Sequence, residues 1–137
     1  MTRINVMPVD ELTDNFILAE YFELPRVFNL VSVHRRKNRV PAQLAIPPAY
    51  TFGEGHAKFF YDKLAWLHRR HQALGVEGAG RGLALRIDPA VGRFDPLWFQ
   101  GTPWWGEYEP TPEAIQLNWD RLQERRRYDG GIYQGSR

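Results

Sequence analysis

HAKFFYDKLAWLHRRHQAL, residues 56–74, is the stretch that decides the fold. Phe59, Phe60, Leu64, Leu67 and His71 fall on roughly one side of a 3.6-residue period, which predicts a strong amphipathic helix. Gly75, Gly78, Gly80 and Gly82 follow, and their density predicts that the helix ends there. Upstream, residues 39–55 are rich in Pro, Gly and Ala and read as loop. Further upstream, Val9, Leu12, Phe16, Ala19 and Leu24 keep near the helical period, so 9–24 is predicted helical. Pro25 disfavours helical dihedrals at Leu24 and predicts a break or kink. Residues 26–37 continue as helix, with Pro25 acceptable in the first turn. Glu23 and Arg26 therefore flank a helix junction, a place where polar groups can be aimed into a cleft.

Downstream, 83–87 reads as a short extended piece. Residues 88–110 are irregular, with Trp98, Phe99, Trp104 and Trp105 set among Pro and Gly. Core packing is expected for at least half of that aromatic stretch, and base stacking for the remainder. Thr111-Pro112-Glu113 is a helix start, with an N-cap, a proline at the first position and an acid in the first turn. That helix is predicted to run to about Arg126, and the Gly-rich tail from Tyr128 onward to be coil. Together these predict a mainly α, compact single domain over residues 1–137, of about three main helices with long connecting loops.

The 137 residues can bury a core without staples. There is no cysteine, which excludes a disulfide framework, a thiolate zinc site and a cysteine nucleophile. No long apolar run occurs, so neither a signal peptide nor a membrane span is expected, and the chain reads as cytoplasmic. The net charge of +2 is mild, but basic residues cluster at 34–37, 68–71 and 125–127. Three such runs make a polyanion, above all nucleic acid, the leading partner. His68 and His71 form an i, i+3 pair that reads as a solvated or DNA-facing helix surface rather than a metal set. No metal and no other cofactor is expected.

Threonine is small enough for Met1 to be removed by an aminopeptidase, leaving Thr2 as the N-terminus. An α-amine has a reference pKa of about 7.7–8.0, so roughly a tenth is an uncharged nucleophile near neutral pH. A cation such as Arg3 or Arg26 nearby would disfavour the ammonium further. Such an amine can form a Schiff base with an electrophilic sugar carbon. A carboxylate is then wanted to stabilise developing positive charge and to relay protons. Composition alone does not select Glu23 from the other acids.

A resemblance does. MTRIN at residues 1–5, AEYFELPR at 19–26 and GEGHAKFFYDKL at 53–64 resemble the pyrimidine-dimer DNA glycosylase/AP lyase family, of the phage endonuclease V type. The likeness is dense from Met1 to about Leu74, thins through the Trp-rich middle and returns over 111–125, including Asp120-Arg121-Leu122-Gln123-Glu124-Arg125. It implies an all-helical, single-domain repair enzyme, a monomer acting on double-stranded DNA that contains a damaged base. Thr2 matches the family's α-amino nucleophile and Glu23 its catalytic glutamate. Arg3, Arg26, Arg121 and Arg125 match positions that contact DNA phosphates. Arg121 and Arg125 are also four apart and share a helix face.

The chain departs from the family close to those residues. Asn15 and Phe16 stand where the pattern has Gln-His, and Phe22 stands where it has an arginine. With Tyr21, these are candidate substrate-pocket residues. Two readings follow: neighbouring arginines substitute and the substrate is a pyrimidine dimer, or the phenyl rings stack on a different damaged or modified base. A phenylalanine in place of a cation beside Glu23 would also raise its carboxyl pKa relative to the family. A third reading, from another class, is a non-catalytic DNA-binding protein. The resemblance also implies an aromatic C-terminal tail near the lesion, a role that Tyr128 and Tyr133 could serve in part, with the 98–105 stretch as the alternative source of stacking.

Overall fold

The computed structural model describes residues 2–128, and the side chains of 2–125. The roles expected of the Arg126-Arg127 pair, Tyr128 and Tyr133 rest on side chains outside the described residues. Five helices carry the fold: α1 (Asp14–Glu23), α2 (Pro25–Arg36), α3 (His56–Phe59), α4 (Leu64–Gly80) and α5 (Pro112–Tyr128). Among the described residues there is no strand, and no helix is long and apolar enough to cross a membrane. The mainly α expectation holds, with four long helices rather than three.

Each boundary differing from the periodicity has an identifiable partner from elsewhere in the chain. Residues 9–24 are not one helix: Val9–Glu11 is a 3-10 turn, Leu12 and Thr13 are extended, and α1 starts at Asp14. Arg81 draws the chain out of helix there. Its guanidinium takes the Leu12 carbonyl at 2.8 Å, the Asp10 carbonyl at 3.3 Å and the Asp14 carboxylate at 3.0 Å. Residues 56–74 are likewise broken, at 60–63. The first amides of α4 have no intrahelical acceptor and find one in the 104–106 loop, Leu64 N–H on Trp104 O at 3.0 Å and Trp66 N–H on Gly106 O at 3.3 Å.

Of the glycines after Leu74, the first ones do not end α4: the helix runs through Gly75 and Gly78 to Gly80. A Cβ at Gly75 would meet the Tyr21 ring at 3.3 Å, and one at Gly78 would meet Leu85 Cδ2 at 2.7 Å. They allow close packing inside the helix. Gly82 ends it, at φ +76°, with Leu83 N–H on Gly78 O at 2.9 Å and Gly82 N–H on Ala79 O at 3.0 Å. This is the paired bond set of a left-handed helix terminus. At Pro25 the expected loss of helical dihedrals does not occur: Leu24 sits at φ −54°, ψ −41°. The break lies in the hydrogen-bond ladder, because Pro25 has no N–H to give. The Thr111 cap is present, with its hydroxyl accepting from Ala114 N–H at 3.0 Å.

The N-terminal segment passes through the centre of this bundle. Ile4, Val6 and Met7 are buried in the core with Ile17, Leu24, Phe60, Leu67 and Trp104. Burial of each such side chain contributes roughly 1.5–3 kcal/mol. An extended segment with no neighbouring strand must satisfy its peptide groups some other way, and here side chains do it. His56 Nε2 accepts from Ile4 N–H at 2.8 Å, and Tyr50 donates to Ile4 O at 2.8 Å. Asn118 Oδ1 accepts from both Val6 N–H (2.8 Å) and Met7 N–H (3.1 Å), and Arg70 donates to Met7 O. Residues 2 and 3 are thereby delivered to a defined place.

Candidate active site

A cavity of about 460 Å³ opens where the N-terminal segment, α1 and α5 meet, lined by Arg3, Asn5, Asn15, Phe16, Glu23 and Arg125 among others. A second, on the other side of Glu23, is lined by Asn15, Phe22, Glu23, Arg26 and Arg86. A third adjoins that one through Arg26 and contains Thr2. The junction of α1 and α2 thus puts Glu23 at the shared wall of two cavities and Arg26 between Glu23 and Thr2.

Burial pushes the Glu23 carboxyl above the usual carboxylate range. Arg26, the backbone N–H of Arg3 and the Arg3 guanidinium pull in the opposite direction. Arg26 Nη1 lies 3.9 Å from Glu23 Oε1, while its Nε donates to Asp88 at 2.8 Å. Asp88 also accepts from Ala90 N–H at 2.9 Å, and those two bonds hold it below its ordinary value. Asp88 therefore fixes Arg26, and it lines the cavity that contains Thr2.

Arg3, Arg121 and Arg125 converge. Arg3 and Arg121 lie over the Phe52 ring, at 5.7 and 4.5 Å from its centroid. Burial, then Arg125 and Arg121, lower the pKa of Arg3. Helix spacing placed 121 and 125 on one face, and the fold sets that face against the N-terminus. Arg3 and Arg125 line the cavity with Glu23, an arrangement able to hold an anion beside a carboxylate.

Two sequence features land differently. The 68–71 run does not form a basic surface: Arg70 is buried in an ion pair with Glu20 at 2.8 Å, Arg69 pairs with Glu107, and His71 is buried with Nε2 on Tyr21 O at 3.0 Å. The surface reading of the His68–His71 pair is thus corrected for His71, whose ring packs inside against Tyr21 at 4.1 Å. That same stacking turns Tyr21 toward α4, apart from the cavities that hold Asn15, Phe16 and Phe22. In the Trp-rich stretch, Phe99 and Trp104 are core and Trp98 is 40% exposed, as the half-core expectation had it.

Sequence reading missed the polar network beneath the site. Asn5 Nδ2 donates to Glu20 Oε1 at 2.8 Å, and Asn118 Nδ2 to Asn5 Oδ1 at 2.8 Å. His56 Nδ1 meets Thr51 O at 2.7 Å; with Nε2 accepting from Ile4, the ring is neutral with its proton on Nδ1. Burial lowers its pKa first, with Arg3 and Arg121 adding to that against the Thr51 bond. Asn5 and His56 lie within motifs already singled out, but nothing in their spacing links residues 5, 20, 70 and 118. Arg86 was missed as well. Its guanidinium lies 5.3 Å from the Phe22 ring centroid, on the cavity wall beside Glu23. A family model described as pyrimidine dimer DNA glycosylase matches residues 1–88.

Proposed function

The chain belongs to the pyrimidine dimer DNA glycosylase family and is a DNA-repair glycosylase; from that premise we propose that it is bifunctional, excising the base of a cyclobutane pyrimidine dimer and then cleaving the strand, with the Thr2 α-amine as nucleophile and Glu23 as partner. The observation that carries this is the place of Arg26, which lies 3.9 Å from the Glu23 carboxylate and lines both the cavity with Glu23 and the adjoining one that contains Thr2.

The neutral amine of processed Thr2 attacks deoxyribose C1′, and the C1′–N bond breaks with its electron pair leaving on the base. Glu23 stabilises positive charge at the sugar as that bond lengthens. The proton lost by the attached amine passes through Glu23 to O4′ as the C1′–O4′ bond opens, giving the Schiff base. Glu23 then takes a C2′ proton and the electron pair expels the 3′ phosphate. Water hydrolyses the imine and frees the amine. Arg3, Arg26, Arg121 and Arg125 hold phosphates around the lesion and fix its register.

Arg86 supports the dimer substrate over a different base, since it returns a cation to the wall where Phe22 replaces one. Phe16, on the larger cavity, favours the alternative of a different damaged or modified base. Incision of three end-labelled duplexes, carrying a thymine dimer, an abasic site or no lesion, separates these readings. Cutting and borohydride trapping of dimer DNA is expected, with Glu23→Gln inactive. Trapping on the abasic duplex alone would assign another base. Absence of trapping on either would leave a DNA-binding protein without the chemistry.

A further inference from the structure

Arg26, Asn29, Leu30, Val33 and Arg36 recur at three- and four-residue intervals and form the outward stripe of α2; from Asn29 on, these four are exposed. The stripe leads from the catalytic cleft to another cavity of about 260 Å³, between α2 and the segment 91–99. The two adjoin, since Asn29 and Val91 line both this cavity and the one that holds Thr2. Ten residues of helix separate Arg26 from Arg36, about 15 Å at 1.5 Å per residue. That distance spans about four base steps of duplex.

The far end has the composition of a nucleic-acid contact. Trp98 stands on the 3-10 turn Pro96–Phe99 with 40% of its surface exposed. Arg35 lies 4.0 Å from the ring centroid and donates to the Trp98 carbonyl, and Phe99 meets the ring edge-on at 5.0 Å. The indole is held rigidly at the rim although Phe99, not Trp98, fills the core beneath. Arg36 lines the cavity without an acidic partner among the described residues. The Arg93 side chain is 90% exposed, and its one ion pair, with Asp95 at 3.9 Å, is of the weak surface kind that a phosphate can displace.

We propose that this cleft is a second duplex-binding subsite, in which Trp98 packs against a sugar or base and Arg36 and Arg93 hold phosphates about four base steps from Glu23. It rests on the DNA-glycosylase reading above. Trp98 and Arg93 lie beyond residue 88, outside the residues that the family model matches.

The test is binding of the full chain to a duplex with an uncleavable abasic analogue, across a salt series, with two more duplexes trimmed to the lesion on one flank or the other. Arg36→Gln/Arg93→Gln should lower the magnitude of the log K against log salt slope by about 2, from about 0.9 per phosphate contact. Trp98→Ala should weaken binding about tenfold. One trimmed duplex should weaken the wild type more than it weakens the double arginine variant, which keeps only the Trp98 contact to that flank. Trapping on abasic DNA at saturation should stay at the wild-type rate for all variants. Unchanged slope and flank dependence in the arginine variant overturn the subsite, whether or not Trp98→Ala folds. Failure of the wild type to trap abasic DNA overturns the Thr2-amine reading instead. An acidic protein partner on this cleft would appear as arginine variants that bind DNA normally.

Discussion

Glu23 carries an internal opposition that can be measured. Burial raises its pKa, so the ionised form costs more in the folded than in the unfolded chain. That cost is absent below the unfolded value near 4.5 and grows in as pH rises through the folded pKa. Glu23→Gln should therefore be more stable than wild type at pH 8, with the gap closing toward pH 4 in thermal melts. The same variant should lose about 10²–10⁴-fold in glycosylase rate. A stable, inactive Glu23→Gln fits a catalytic carboxylate, whereas a destabilised one would mark Glu23 as structural. His56 behaves in the opposite sense. Its lowered pKa means that its contribution to stability is full above pH 6.5 and falls away as pH drops toward the folded value. Of these two residues, Glu23 was legible through its motif. His56 was not, because the bond to Ile4 joins positions 52 residues apart.

At the scale of elements, the N-terminal segment is held like a strand whose ladder is made of side chains. Asn118→Ala removes the acceptor for Val6 and Met7 and a donor to Asn5. Leaving those groups unpaired should cost about 1–3 kcal/mol in urea unfolding, and trapping should slow because residue 2 is less well placed. Arg70→Met should cost about 3–5 kcal/mol by stranding the Glu20 charge, and adding Glu20→Leu should recover part of that. If the single and double variants were equally unstable, the ion pair would not be the source. Gly106→Ala should also destabilise, by about 1–3 kcal/mol, since its Cβ would fall 2.0 Å from the Asp62 carbonyl oxygen at the α3–α4 break. Periodicity located α4, and Thr111 announced α5. The breaks at 12–13 and 60–63 were hidden because the groups that impose them, Arg81 and the 104–106 carbonyls, are supplied from 40 or more residues away.

Over the whole molecule, a net charge of +2 says little, since placement decides what DNA meets. Of the three basic runs, 68–71 is consumed by the fold, 34–37 borders the cleft beside Trp98, and Arg125 joins Arg3 and Arg121 at the cavity. Arg69→Gln should thus leave the salt slope of DNA binding unchanged, whereas Arg121→Gln should reduce it by about 0.9. Equal effects would mean that DNA contacts both faces.

What the sequence determined by itself is what consecutive residues can state: helical period, the Thr111 cap, the α1–α2 junction that presents Glu23 with Arg26, and the motif residues at 1–5, 19–26 and 53–64. Each is a local preference, expressed within one or two turns of chain. The tertiary structure alone decided which arginines face the cavity, why Gly75 and Gly78 lie inside a helix, that Arg86 stands over Phe22, and how an unpaired extended segment is satisfied. Those outcomes depend on partners up to 113 residues apart, chosen by the need to pair every buried polar group. No spacing in the chain encodes that requirement, because it arises only when distant segments exclude water together.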